Sequence, residues 1–190
     1  MGGRSKADLT IGGKTFLARI GDVLLSCFKE CLLVIRSGQQ RRKGRFRVAT
    51  DILPQRSTLT GIHAGLVHAA TPFVFFAGCD IPFLAPEVVS LLGREIEPGM
   101  DIVVPFSGTY YQPLCAVYSK RCIPLIEAQL EREDPKVDRL FESVAVKRIS
   151  YDRLKTVDPA LLSFFNINTP GDLMLAKRIA SGRTEALNGH

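Results

Sequence analysis

Asp80 has the most informative surroundings of any carboxylate in the chain. It follows the apolar run Phe75-Phe76-Ala77 and the pair Gly78-Cys79, and Pro82 then stops the strand. A carboxylate exposed at the carboxyl end of a strand is placed to hold Mg²⁺. Such an ion bridges triphosphate oxygens and neutralises the charge that builds up in a phosphoryl transfer. The same pattern also fits an aspartate that caps the following turn. Asp51 ends a second, shorter strand ahead of Gly61. It could accept hydrogen bonds from a base or ribose, or cap a loop. Asn166 and Asn168 alternate around Ile167, so an extended backbone puts both on one side. Amide side chains donate and accept, which suits a heterocycle or a phosphate-bearing ligand. Helix capping and turn formation are simpler uses of the same residues. At the N-terminus, Gly2-Gly3-Arg4-Ser5-Lys6 joins residues that let a backbone approach phosphate to cations that neutralise it. An ordinary glycine-rich terminus shares that composition.

Other chemistries find less support. The spacing of a P-loop is missing, and no Gly-x-Ser-x-Gly nucleophile elbow occurs. His63 and His68 are too far apart in helical phase to share a metal. Cys27, Cys31, Cys79, Cys115 and Cys122 form no Cys-x-x-Cys pair and no zinc-type cluster, and read as reduced thiols. The net charge of +6 owes much to Arg36, Arg41, Arg42, Lys43, Arg45 and Arg47. Such a cluster could serve nucleic acid, phosphorylated small molecules or only a solvated face. With Phe46 as its lone aromatic and no RNA-binding signature around it, nucleic acid is not the expected partner. No apolar run is long enough to cross a bilayer, and the N-terminus lacks the apolar core of a signal peptide. The expected location is the cytoplasm, with no membrane partner.

These residues need a scaffold, and the alternation of elements supplies one. Helical spacing is read over 15–28, 59–69, 86–92, 120–131 and 169–179. Thr169 is the expected N-cap of the last helix, and Pro170 its first residue. Strands are read at 31–35, 47–49, 73–77, 101–104, 112–118 and 144–149. The runs at 31–35 and 73–77 are continuously apolar, as in strands covered on both faces. The expectation is a single domain over 1–190, a three-layer α/β/α Rossmann-like fold with a mostly parallel sheet. Ligands of such sheets bind beyond the carboxyl ends of the strands, where Asp51 and Asp80 fall.

In this order the segments resemble the molybdenum cofactor guanylyltransferases, within the wider sugar-nucleotide-type nucleotidyltransferases. The resemblance runs through Gly2-Gly3-Arg4-Ser5-Lys6, Gly13-Lys14-Thr15, Asp51 with Leu59-Thr60-Gly61-Ile62, and Cys79-Asp80-Ile81-Pro82-Phe83. It continues in Gln112-Pro113-Leu114 and is most specific in Phe165-Asn166-Ile167-Asn168-Thr169-Pro170 with Asp172-Leu173. It implies a nucleotidyltransferase fold and a Mg²⁺-dependent transfer of GMP from GTP to the terminal phosphate of molybdopterin, with release of pyrophosphate. It also implies that Met1, Gly2, Gly3, Lys6, Asp51, Gly61 and Asp80 contact the nucleotide. Arg4 would lie near its phosphates, with Lys6, Asp80 and Arg4 serving catalysis and Asp80 holding the metal. Asn166 and Asn168 would face molybdopterin. Transient contact with cofactor-delivery proteins or molybdoenzymes follows from the fate of such a product.

Some positions depart from the family pattern. Lys6 follows Ser5 directly, where the family runs through an Arg-Met-Gly segment to Asp-Lys. Only Met1 precedes Gly2, where the family has an apolar strand. Ser57-Thr58 stand in place of Gly-Pro, and Ile35 in place of a polar nucleoside contact. Two further readings stay open: a cytidylyltransferase acting on the same cofactor, and a catalytically weak protein that binds and delivers molybdopterin.

Overall fold

The computed structural model describes residues 6–39, 44–53 and 55–182. Met1, Gly2, Gly3, Arg4 and Ser5, and the basic residues Arg41, Arg42 and Lys43, lie outside them. Eight strands are present among the described residues. They are β1 (Thr10–Ile11), β2 (Lys14–Thr15), β3 (Leu32–Ile35), β4 (Arg47–Thr50), β5 (Phe73–Ala77), β6 (Ile102–Phe106), β7 (Cys115–Ser119) and β8 (Val146–Ser150). The helices are α1 (Phe16–Cys27), α2 (Thr58–His68), α3 (Pro86–Arg94), α4 (Ile123–Glu131), α5 (Val137–Glu142), α6 (Tyr151–Lys155) and α7 (Pro170–Ala180).

The main sheet has the order β5-β7-β6-β8. Side-chain alternation sends its residues to two apolar layers. Ile102 and Val104 of β6, with Ala116 and Tyr118 of β7, pack under Leu59, Ile62 and Leu66 of α2, Ile126 and Leu130 of α4, and Leu140 and Phe141 of α5. Val103, Cys115, Val117 and Ile149 pack on the other side against Ile20 of α1, Val88, Val89, Leu91 and Leu92 of α3, and Leu154 of α6. Helices therefore cover both faces, which makes the three-layer α/β/α domain. Buried thiols contribute to both layers, and burial pushes Cys115 and Cys122 up to about 12.

Strands β5, β6 and β8 run in one direction, while β7 is antiparallel to both of its neighbours. The reversal follows from the connection. Only residues 107–114 join β6 to β7, too few for the crossover that a parallel neighbour requires. The sheet is thus parallel in most of its strand directions and mixed in its ladders. Strands β3 and β4 form a separate parallel pair, which the backbone N–H of Asp51 extends by bonding the Ile35 carbonyl at 2.9 Å. Helix α2 packs on β3, β4 and β5 and so ties the pair to the main sheet.

Helix ends follow local chemistry. Thr15, Ser57, Ser150 and Thr169 cap α1, α2, α6 and α7 with their hydroxyls. Pro86 and Pro170 occupy first-turn positions, where a missing N–H costs nothing. The strand read at 112–118 begins only at Cys115, because residues 112–114 belong to the turn leading into β7.

Candidate active site

A third, small core sits apart from the two main layers. Ile11, Phe16, Ile167 and Ala176 are its buried members, with Leu9, Phe83, Phe165 and Leu173 packed around them. These residues come from three distant stretches: the segment after Lys6, the segment after Asp80, and the Asn166–Asn168 segment with α7. The β1–β2 hairpin belongs to this unit. Its Gly12-Gly13 turn has φ of +57° and +78°, the conformation a two-residue hairpin demands and other residues resist. Burying this cluster fixes three polar side chains around one point.

Lys6 is at that point. Its ammonium donates to Asp80 Oδ2 at 3.3 Å and to Asn168 Oδ1 at 2.5 Å, although the partners are 74 and 162 positions away in sequence. The Lys6 and Asp80 side chains keep 34% and 28% of their exposure, so both are open to an incoming ligand. The backbone is held as firmly as the side chains. The Ile167 N–H bonds the Asp80 carbonyl at 3.0 Å, and the Gly78 N–H bonds the Leu114 carbonyl at 2.8 Å. Ile167 is fully buried while Asn166 and Asn168 are exposed, the alternation that an extended segment dictates.

Capping of α7 falls to Thr169 and Asp172, which leaves the Asn168 amide for Lys6. The Asp172 carboxylate accepts the N–H groups of Asn168 at 2.9 Å and Thr169 at 2.7 Å, and Thr169 Oγ1 accepts the Asp172 N–H in return. Those backbone donors, Asn168 first, hold the Asp172 carboxyl below its ordinary range. A lowered carboxylate stabilises the fold above its unfolded pKa, near 3.9, and loses that contribution as pH falls through the folded value. Asp172→Asn is therefore expected to melt below the parent protein at pH 7, with the gap closing below about pH 4. Melting temperatures measured across pH 2–7 check this; a gap independent of pH would contradict it.

Asp51 stands at the end of β4, next to the end of β3, where Arg36 follows. Partial burial pushes its carboxyl up, against the opposing charge of Arg36. Gly61 lies in the first turn of α2, where an added Cβ would meet only open space. The convergence at Lys6 includes neither residue, and Asp51 marks a second locus at the carboxyl side of the β3–β4 pair. His63 is buried and bonds Glu127 at 2.8 Å. Among the described residues no three His, Cys, Asp or Glu side chains group as a metal site of their own. Of the basic stretch, Arg45 pairs with Asp22, and Arg47 bonds Glu30 at 2.6 Å and the His68 carbonyl at 2.5 Å. These two cations are engaged with the surface of their own domain.

Residues at the site that the sequence does not single out are Arg19 and the aromatic pair Phe83–Phe165, whose rings lie 6.3 Å apart. Helical phase alone hints at Arg19, since Phe16 and Ile20 flank it on the buried side of α1.

This three-layer α/β domain gathers a lysine, an aspartate and an asparagine at the carboxyl edge of its sheet, and its class is that of the nucleotidyltransferases. The family model described as the MobA-like NTP transferase domain matches residues 1–149. The chain belongs to the molybdenum cofactor guanylyltransferase family, within the MobA-like NTP transferases. It is 37% identical over 183 residues to a molybdenum cofactor guanylyltransferase of Desulfosudis oleivorans, covering 96% of this chain and 91% of that protein. The crystal structure of molybdopterin-guanine dinucleotide biosynthesis protein A from Archaeoglobus fulgidus superimposes with a TM-score of 0.80. That match has 28% identity and covers 95% of this chain and 92% of that one. The 2-C-methyl-D-erythritol 4-phosphate cytidylyltransferase of Thermus thermophilus shares the fold at a TM-score of 0.67 and 17% identity, with 93% and 94% covered. No helix among the described residues is long and apolar enough to cross a membrane.

Proposed function

We propose that this chain transfers GMP from GTP to the terminal phosphate of molybdopterin in the cytoplasm. The observation that carries the reading is the convergence of Lys6, Asp80 and Asn168, in a chain of this family. An oxygen of the molybdopterin phosphate bonds to the α-phosphorus of GTP. The bond from that phosphorus to the bridging oxygen breaks, and pyrophosphate leaves with the electron pair. The attacking phosphate is already anionic at neutral pH, so the protein needs no general base. Positioning and neutralisation of charge supply the acceleration.

Two oxygens, Asp80 Oδ2 and Asn168 Oδ1, point at one cation, the Lys6 ammonium. Hard oxygen donors around a positive centre suit Mg²⁺, which takes one or two carboxylates and completes its shell with phosphate oxygens and water. Asp80 would hold it, and the ion would supply neutralisation of the triphosphate. Lys6 adds a mobile positive charge beside the same phosphates. Asp51 and Gly61 would face the nucleoside. Met1, Gly2, Gly3 and Arg4 are assigned to the nucleotide by resemblance alone. Asn166 and Asn168 present donors and acceptors to molybdopterin. The product would then pass to delivery proteins or molybdoenzymes by transient contact.

Calorimetric titration with GTP and CTP, with and without Mg²⁺, tests the reading. Mg²⁺-dependent preference for GTP supports it; preference for CTP moves the assignment to cytidylyl transfer. Asn168→Ala is expected to weaken molybdopterin binding about tenfold, the scale of one lost hydrogen bond to a charged partner. GTP binding should change about twofold or less. Equal losses for both ligands would confine Asn168 to its bond with Lys6 and remove it from molybdopterin binding.

A further inference from the structure

A side chain from outside the Asp80 loop braces it. Arg19, half-buried on α1, donates from Nε to the Pro82 carbonyl at 3.2 Å. Its guanidinium lies over the Phe83 ring, 5.5 Å from the centroid. Pro82 is buried, so its carbonyl needs a donor from within the protein. The guanidinium also lies beside the glycine turn of the β1–β2 hairpin, where a Cβ on Gly12 would be 3.9 Å from Nη1. One side chain thus spans α1, the hairpin that follows Lys6, and the two residues behind Asp80 and Ile81.

We infer that Arg19 is a positioning residue for the metal-holding carboxylate: it locks the Pro82–Phe83 segment so that Asp80 meets its cation without reorganising. The inference rests on the reading of Asp80 as that carboxylate. Other restraints on the loop include backbone bonds at Gly78 and Asp80, the Leu84 N–H to the Ile81 carbonyl at 3.2 Å, the packing of Phe83 beside Phe165, and the Ser163 hydroxyl that accepts the Ala85 N–H at 2.9 Å. Arg19 adds a side-chain donor from α1 to the Pro82 carbonyl, within a stretch where proline offers no N–H of its own. A guanidinium suits the task because its charge lies over the Phe83 ring while its Nε–H reaches the carbonyl. An ammonium can donate to Pro82 but lacks the spread of a guanidinium over the ring.

The test compares how strongly Mg²⁺ tightens GTP binding, by calorimetry, in the parent protein and in Arg19→Met, Arg19→Lys and Asp80→Ala. Methionine keeps the packing of the stem and removes the donor. The tightening by Mg²⁺ should fall about tenfold in Arg19→Met, within the roughly 10- to 100-fold range for lost outer-shell partners. Metal-free GTP affinity should stay within about twofold, because only the metal-holding geometry depends on the strut. Arg19→Lys should recover part of the loss. An Arg19→Met protein with parental tightening overturns the inference, and so does an equal fall in metal-free affinity, which would mark a general structural role. If Mg²⁺ fails to tighten GTP binding in the parent protein itself, the metal reading of Asp80 falls and takes the Arg19 inference with it. Loss of tightening in Asp80→Ala alone overturns only the Arg19 inference.

Discussion

Asp80→Ala loses about a thousandfold in kcat and keeps its fold. The magnitude is that of removing a group that neutralises charge developing in the transition state, about 4 kcal/mol at tenfold per 1.4 kcal/mol. The fold survives because the carboxylate sits at the open edge of the site. Its pairing with Lys6 is partly exposed, and such pairs contribute about 1 kcal/mol or less. The backbone of the loop stays anchored through the Ile167 N–H and the buried Ile81. Steady-state kinetics with thermal melting of the same preparation measure both halves. A kcat within a few-fold of the parent would remove Asp80 from the chemistry.

The second large effect belongs to Lys6. Lys6→Ala should lower kcat/KM about a hundredfold, through loss of a point charge beside the triphosphate. Arginine should restore it only in part, since its larger planar fork places charge and donors differently from the compact ammonium that bonds these two oxygens. Because Lys6 and Asp80 touch and serve one centre, their effects should not add. The double variant should be little worse than Asp80→Ala alone. A double-mutant cycle on kcat/KM checks this, and additive losses would show that the two residues act on separate parts of the substrate.

Much of this arrangement is legible in the amino-acid sequence, and the reasons are local. The apolar run ending at Ala77 and stopped by Pro82 marks Asp80 as a strand-end carboxylate. The alternation Asn166-Ile167-Asn168 marks two exposed amides around a core residue, and Thr169-Pro170 marks a helix start. In each case the signal lies within a few residues of its consequence. What local pattern does not carry is convergence. Nothing near Lys6 says that it meets residues 74 and 162 positions away. That meeting is produced by the small core of Ile11, Phe16, Ile167 and Ala176, whose members look like ordinary apolar residues of their own segments. Arg19 is hidden for the same reason, since its partner is a backbone carbonyl on a distant loop. Helices α5 and α6 are equally hard to read: at six and five residues they offer less than two turns of periodicity. The reversed direction of β7 is legible in the short connection at residues 107–114, but its fully buried, apolar composition reads like that of a parallel strand.

Ser57-Thr58 and Ile35, which depart from the family pattern, bear on the choice of GTP more than on the fold. Lys6 reaches Asp80 and Asn168 although it follows Ser5 directly. The second locus, at Asp51, has a carboxyl raised by burial against the opposing charge of the exposed Arg36.

The most direct test of guanylyl transfer is to incubate the purified chain with Mg²⁺, GTP labelled at the α-phosphate, and molybdopterin, and to follow both products. Label is expected in a molybdopterin-guanine dinucleotide, with one pyrophosphate released for each dinucleotide formed, and omission of either substrate should abolish both signals. Molybdopterin bound without any release of pyrophosphate would contradict guanylyl transfer, and would leave a protein of this family that holds the cofactor but does not modify it.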